Sequence, residues 1–133
     1  MPYVAPEAAP NLRAIDLAAI RRDAGAPPWR RPLAGTGATR SVLSEWPVGY
    51  TAPAHRHPYA DETFLVLDGA ATFRFDDAAD AITAGPGTFL IAPRGLAHEI
   101  GVPGPEPLLL LVSVSPNEDR PDETVEGPLR RHG

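Results

Sequence analysis

A chain of 133 residues suits one domain built around one core. Its formal net charge of -5, with no basic cluster beyond the isolated Arg-Arg pairs at 21–22, 30–31 and 130–131, makes it a poor partner for nucleic acid. With no cysteine and no lysine, thiolate chemistry, disulfides and side-chain Schiff bases are excluded, and any metal site must use His, Asp or Glu.

Residues 1–10 are rich in Pro and Ala and read as an arm without regular structure. The opening Met-Pro-Tyr-Val-Ala-Pro-Glu has neither the charged nor the apolar region of a signal peptide. The longest apolar run, Leu108 to Val112, is too short to span a bilayer. A cytoplasmic protein without a membrane partner is the expectation. Leu12 to Ile15 reads as a short strand. Asp16 suits a helix cap for Leu17 to Arg22, where Leu17 and Ile20 mark one amphipathic turn. Ala24 to Pro28 reads as a linker, Trp29 to Leu33 as an edge strand, and Ala34 to Gly37 as a turn.

From Arg40 onward the pattern becomes short strands at close spacing. Arg40 to Val48 places Val42, Ser44 and Trp46 on one face. Ala54 to His57 and Glu62 to Leu67 follow, then Ala71 to Phe75 with Ala71, Phe73 and Phe75 inward. Asp76 to Asp80 is a hairpin loop before Ala81 to Ala84. Gly85-Pro86-Gly87 turns into a buried strand, Thr88 to Ala92. Pro93-Arg94-Gly95 turns again before Ala97 to Val102 and Leu108 to Ser115. Such spacing implies an all-β sandwich or small barrel, and the absence of βα units excludes a nucleotide-binding parallel sheet. The chain thus divides into an arm with a short helix (1–28), a β domain (29–115) and a flexible acidic tail (116–133). A lid or inter-subunit arm through Val125 and Leu129 is the alternative reading of the tail.

The chemistry concentrates between Gly49 and Gly69. His55 and His57, two residues apart on an extended segment, point to one face. An uninterrupted strand would place Glu62 on the other face. Pro58 interrupts it, and a turn at Tyr59-Ala60-Asp61 brings Glu62 back. Two imidazoles and a carboxylate converging on a point form a metal-ligand set.

The pattern Gly49-x5-His55-x-His57-x4-Glu62-x6-Gly69 resembles the first motif of the cupin family, and Gly87-x5-Pro93-x-Gly95-x2-His98 resembles the second. One position departs: Val102 stands where the second motif often has Asn. The resemblance covers residues 40–115. It implies a jelly-roll barrel of roughly six to eight strands. Inside it, His55, His57, Glu62 and His98 would hold one metal ion. Glu99, next to His98, alternates to the other face and is not expected as a fifth ligand.

Mixed N and O donors suit Fe, Mn, Ni, Co or Zn as a divalent ion. Phe64, Val66 and Ile100 are expected in the pocket wall, with Phe89 and Ile91, or else Leu90. Phe73 and Phe75 would lie deeper, and Arg40, Trp46, Tyr50 and Tyr59 are candidates for the mouth. Cupins resembling this chain include oxygenases, cyclases, isomerases, lyases and binders. The first reading is a metal-dependent dioxygenase acting on a small enol-, diketone- or polyphenol-like substrate, with Glu62 as ligand and catalytic base. The second is a cyclase, isomerase or lyase using the metal as Lewis acid, and the third a binding or sensory module. A homodimer is expected, with Trp29 and Leu33 covering an exposed edge.

Overall fold

The computed structural model describes residues 14–117 and the backbone of 123–124. Expectations for residues 1–13, and for Val125 and Leu129, fall outside the described residues. One helix, α1 (Leu17–Ala24), precedes the strands β1 (Trp29–Gly35), β2 (Arg40–Trp46), β3 (Thr51–Arg56), β4 (Asp61–Asp68), β5 (Ala71–Phe75), β6 (Ile82–Ala84), β7 (Phe89–Ala92), β8 (His98–Gly101), β9 (Leu108–Ser115) and β10 (Glu123–Thr124). They form two antiparallel five-stranded sheets, in the orders β1-β2-β9-β4-β7 and β10-β3-β8-β5-β6. The strand count exceeds the expected six to eight because the short pieces β6, β7 and β10 pair at the sheet edges. Two residues of the acidic tail, Glu123 and Thr124, pair with Arg56 and His55. Among the described residues no helix is long and apolar enough to cross a membrane.

The core lies between the sheets. Strand alternation sends Phe64, Val66, Phe73, Ile100, Leu108 and Leu110 inward, all nearly inaccessible. The first sheet is also covered on its outer face. Leu33, Leu43 and Leu109 form a second cluster there, packed by Ile15, Leu17, Ile20 and Trp29. A strand covered on both faces has no polar side, which is why Leu108 to Leu111 read as an unbroken apolar run.

α1 starts where Asp16 accepts a hydrogen bond from Ala19 N at 3.1 Å, and it runs two residues further than Arg22 before Gly25 ends it. Ala14 and Ile15 are not in a strand; Ile15 joins the cluster under the helix instead. Arg21 fastens α1 to the sheet, 2.7 Å from Glu45 Oε2 and 2.7 Å from Asp68 Oδ2. Trp29 Nε1 donates to the other Glu45 oxygen at 3.0 Å. Trp29 and Leu33 therefore serve the chain's own outer face. β7 differs from the buried strand expected: Leu90 and Ala92 face the core, while Phe89 and Ile91 are 63% and 50% exposed. As an edge strand it has nothing packed on its outer side among the described residues.

Two glycines illustrate different constraints. Both Gly69 and Gly95 have positive φ, +78° and +81°. A Cβ at Gly69 would also strike the main-chain oxygen of Pro107, whereas among the described residues nothing lies within 4 Å of one at Gly95. Gly95→Ala should cost about 1–2 kcal/mol, the left-handed penalty alone. Gly69→Ala should cost more than about 3 kcal/mol, because backbone cannot yield as a side chain would. Urea unfolding of the two variants measures the difference, and equal losses would contradict it.

Candidate metal centre and its cavity

The four side chains singled out by sequence converge between the sheets. Glu62 comes from β4, His98 from β8, His55 from β3, and His57 from the bend after β3. His55, Glu62 and His98 each offer a ligand-type atom, all within 4.8 Å of one another, and this group could hold a metal ion. His98 Nε2 lies 2.8 Å from Glu62 Oε1, and His55 Nε2 lies 3.8 Å from the same oxygen. His57 Nε2 approaches the second oxygen, Oε2, at 3.2 Å.

Local structure explains the convergence. On β3, Ala52 faces Ile100 and His55 faces His98, so three residues oppose two across the pairing with β8. This bulge reverses the alternation, so that His55 points inward as Ala52 does. Pro58 then ends the extended run, and β4 begins at Asp61 with Glu62 inward. The turn Pro93-Arg94-Gly95 clamps the bend: Gly95 N donates to His57 O at 2.8 Å, and Arg94 N donates to Asp61 Oδ1 at 2.9 Å. The two motifs are thus tied together by main-chain contacts beside the site. Val102, the position that departs from the second motif, is held by backbone as well. Its N donates to Tyr50 O, and its O accepts from Gly49 N. Its side chain is buried, so the turn needs no polar side chain there.

Hydrogen bonds set the ring tautomers. His55 Nδ1 is 2.9 Å from Pro53 O and His98 Nδ1 is 3.1 Å from Leu96 O. A carbonyl only accepts, so each Nδ1 carries a proton, and Nε2 is the nitrogen turned toward Glu62. Phe64 and Phe75 pack around the His98 ring at centroid distances of 5.6 and 6.1 Å and fix its plane. Burial pushes the Glu62 carboxyl up, but hydrogen bonds and charge from His57 and His98 outweigh it and bring it down to about 2. The 2.8 Å contact of His98 Nε2 with Glu62 Oε1 is a hydrogen bond through a ring proton, and a metal ion bound by these atoms would take the place of that proton. The donor set therefore fits a divalent metal: imidazole nitrogens and one carboxylate, with the far ring nitrogens already bonded.

The cluster opens into a cavity of about 310 Å³. Val42, Ser44, Trp46, Val112, Val114 and Phe64 line it from the first sheet, and Ala52 and Ile100 from the second. Trp46 and Tyr50 are in ring contact, centroids 4.8 Å apart, and Arg40 and Arg30 also line it. Arg40, Trp46, Tyr50, Phe64 and Ile100 thus stand where expected. Tyr59 does not line the cavity and is 49% exposed. Val66, Phe73 and Phe75 are buried in the core and do not line it either, and from β7 only Leu90 and Ala92 turn inward. Glu99 faces away, 3.8 Å from Arg74. Arg30, Val112 and Val114 went unrecognised as lining, since only the register of β1 and β9 against β2 places them. The signal available was the alternation of β9, which sets Leu110, Val112 and Val114 on one face.

A family model described as cupin domain matches residues 42–114. Germin-like protein 1 of Brassica napus is 36% identical over 86 residues, which cover 62% of this chain and 41% of that protein. The chain therefore spans less than half the length of that relative. In fold, it resembles an uncharacterized conserved protein with a double-stranded beta-helix domain from Klebsiella pneumoniae, at TM-score 0.74 and 22% identity over 88% of this chain and 100% of that one. It also resembles the DMSP lyase DddQ of Ruegeria pomeroyi, at TM-score 0.67 and 22% identity, over 75% of this chain and 53% of that one.

The clamp at Asp61 makes a testable prediction. The main-chain N–H of Arg94, and then its guanidinium, hold the Asp61 carboxyl below its ordinary value. A depressed carboxyl stabilises the fold above its unfolded value and loses that contribution as pH falls through the lowered one. Because the backbone donor matters most, Arg94→Ala should leave most of the depression in place. A carbon-13 titration of the Asp61 carboxyl reads this directly. Return to the ordinary value in Arg94→Ala would assign the effect to the guanidinium instead.

Proposed function

The chain belongs to the cupin family. From that premise we propose that it is a metal-dependent enzyme acting on a small organic molecule bound in the cavity. In this reading His55, His57, Glu62 and His98 hold one divalent ion of Fe, Mn, Ni, Co or Zn. The observation that carries it is the convergence of His55, Glu62 and His98, with Nδ1 of both rings committed to carbonyls so that each Nε2 turns toward the carboxylate. Such an ion supplies Lewis acidity toward a bound oxygen atom, and where redox-active, chemistry with O₂.

The protein's own residues do the rest. Val42, Phe64, Ile100, Val112 and Val114 exclude water from the cavity wall, and Trp46 with Tyr50 offers aromatic faces to a flat ligand. Glu62, held at about 2, stays ionised and is a weak base, which favours its role as an anionic ligand over proton abstraction. The apolar, aromatic wall supports dioxygenation of an enol-, diketone- or polyphenol-like substrate as the leading reading. A lyase, cyclase or isomerase is the second, supported by the likeness in fold to the lyase DddQ. The homodimer contact belongs on the outer side of β7, where Phe89 and Ile91 stand exposed.

Metal analysis should find about one ion per chain at neutral pH. Imidazoles bind metal only when deprotonated, so occupancy should fall on acidification. His55→Ala and His98→Ala should each abolish stoichiometric binding, and full occupancy in both would move the metal elsewhere. Turnover that needs O₂ and stops under argon supports the oxygenase, and turnover unchanged under argon supports the second reading. A loaded protein that binds such compounds and transforms none is a binding module. Light scattering should find a dimer that Phe89→Glu with Ile91→Glu converts to monomer; a wild-type monomer at micromolar concentration removes the dimer.

A further inference from the structure

The register of the first sheet lays out its inner face as rows. Glu62, Val114 and Arg40 share one row, Phe64, Val112 and Val42 the next, and Val66, Leu110 and Ser44 the row beyond. Residues paired across antiparallel strands point to the same side, and alternation keeps Val42, Ser44 and Trp46 on one face of β2. Ser44 therefore faces inward and is part of the cavity lining. It stands two rows from Glu62, about 13 Å along the strands, and two strands across, about 10 Å.

Ser44 is 4% exposed. Its hydroxyl has no hydrogen-bond partner among the described residues, and its oxygen is not sealed within the protein, so it meets the space of the cavity. Elsewhere this sheet pairs such groups. On the outer face Ser41 and Ser113 stand opposite each other, with their hydroxyl oxygens 2.8 Å apart. The adjacent Glu45 is met by Arg21 and Trp29. The cavity wall between Ser44 and the row of Glu62 is made by Val42, Val112 and Phe64. Valine would suit the place of Ser44 in the strand better, since β-branched side chains fit a buried sheet face. A buried hydroxyl, by contrast, costs free energy until it is paired. A ligand oxygen at Ser44 supplies that partner.

We propose that Ser44 determines specificity, and that the substrate carries a neutral hydroxyl, of the phenolic kind, at the end remote from its metal-binding oxygens. A serine hydroxyl donates one hydrogen bond and accepts others, which is what an O–H group offers in return. A carboxylate or phosphate in that place would call for several donors. Arg30, opposite Ser44 on β1, is exposed, and its charge is screened by solvent. Val42, Ile100 and the Trp46–Tyr50 ring pair supply the apolar and aromatic surface on which a phenol ring packs. This deepens the enzyme reading and rests on it for the contact at the other end of the ligand, at His55, Glu62 and His98. Ser44 acts here as a binding residue and takes no part in the chemistry at the cluster.

The test is calorimetric titration of the full-length, metal-loaded protein with two diketones of different length, benzoylacetone and cinnamoylacetone. Each is used with and without a para hydroxyl on its ring, and metal content is measured on the same samples. At one length or both, the hydroxylated compound should bind about three- to tenfold more tightly than its plain counterpart. Ser44→Ala should remove that preference and leave the plain compounds within about threefold, with metal content unchanged. Ser44→Thr keeps the hydroxyl and should keep the preference. Ser44→Val refills the space, so it serves if Ser44→Ala does not fold. It should also unfold at or above the wild-type Tm, whereas a serine bonded within the fold would lose stability on that change. Equal binding of hydroxylated and plain compounds at both lengths overturns the proposal. So does a preference that survives Ser44→Ala and Ser44→Val, or no binding of any of the four up to about 10 mM, well beyond weak affinity. Wild-type protein that takes up no metal, yet shows the preference and loses it in Ser44→Ala, would instead sink the enzyme reading and leave this inference standing.

Discussion

Burying a charge in an apolar interior costs several kcal/mol unless it is matched. Glu62 is such a charge, at 7% exposure among Phe64, Ile100 and Val114. Its match comes from imidazoles on other elements: His98 on β8, His55 on β3, and His57 just beyond it. β4 belongs to one sheet and β3 and β8 to the other, so the cluster links the two layers. The bulge in β3, the bend at Pro58 and the clamp of Gly95 on His57 all follow from holding those rings against one carboxylate.

A second buried carboxylate shows the contrast. Glu45, on the outer face of β2, is met by Arg21 and Trp29. Arginine stays charged at any pH the protein will meet, so that pairing is permanent, and it fastens α1. Imidazoles with Nδ1 already committed are different, because the Nε2 that meets the carboxylate can carry a proton or give that place to a metal ion. The same residue type thus serves anchorage on one side of the sheet and the functional site on the other. The first sheet can support both because its strands are covered on each face, with Leu109 and Leu111 under the helix and Leu110 and Val112 toward the cavity.

That double duty also explains where linear reading fell short. Alternation along β7 is clear in either register, yet whether Phe89 or Leu90 meets the core depends on its pairing with β4. Leu65 opposite Phe89 and Phe64 opposite Leu90 decide it. Trp29 and Leu33 look like residues waiting for a partner, and only the position of α1 shows that their partner is intramolecular. Tyr59 is next to ligand-type residues in sequence, but the bend that carries it turns outward. Arg30 gave no signal at all, since an arginine on an edge strand looks like solvated surface until β1 is set against β2.

The sequence by itself determined the all-β architecture, most strand positions within a residue or two (β3 begins three residues before the expected Ala54), and the grouping of His55, His57 and Glu62, to which the resemblance to the cupin motifs added His98. These rest on local physics: period-two alternation, turns at Gly and Pro, and motif spacing set by hairpin lengths. Tertiary structure alone decided which nitrogen of His55 and His98 faces Glu62, because that depends on carbonyls of Pro53 and Leu96 meeting the rings. It alone decided that Arg40 shares a row with Glu62, because cross-strand register is a relation between segments some 20 to 75 residues apart in the chain. Composition shows an acidic protein, and only the folded register gathers two of its arginines along the wall of one cavity.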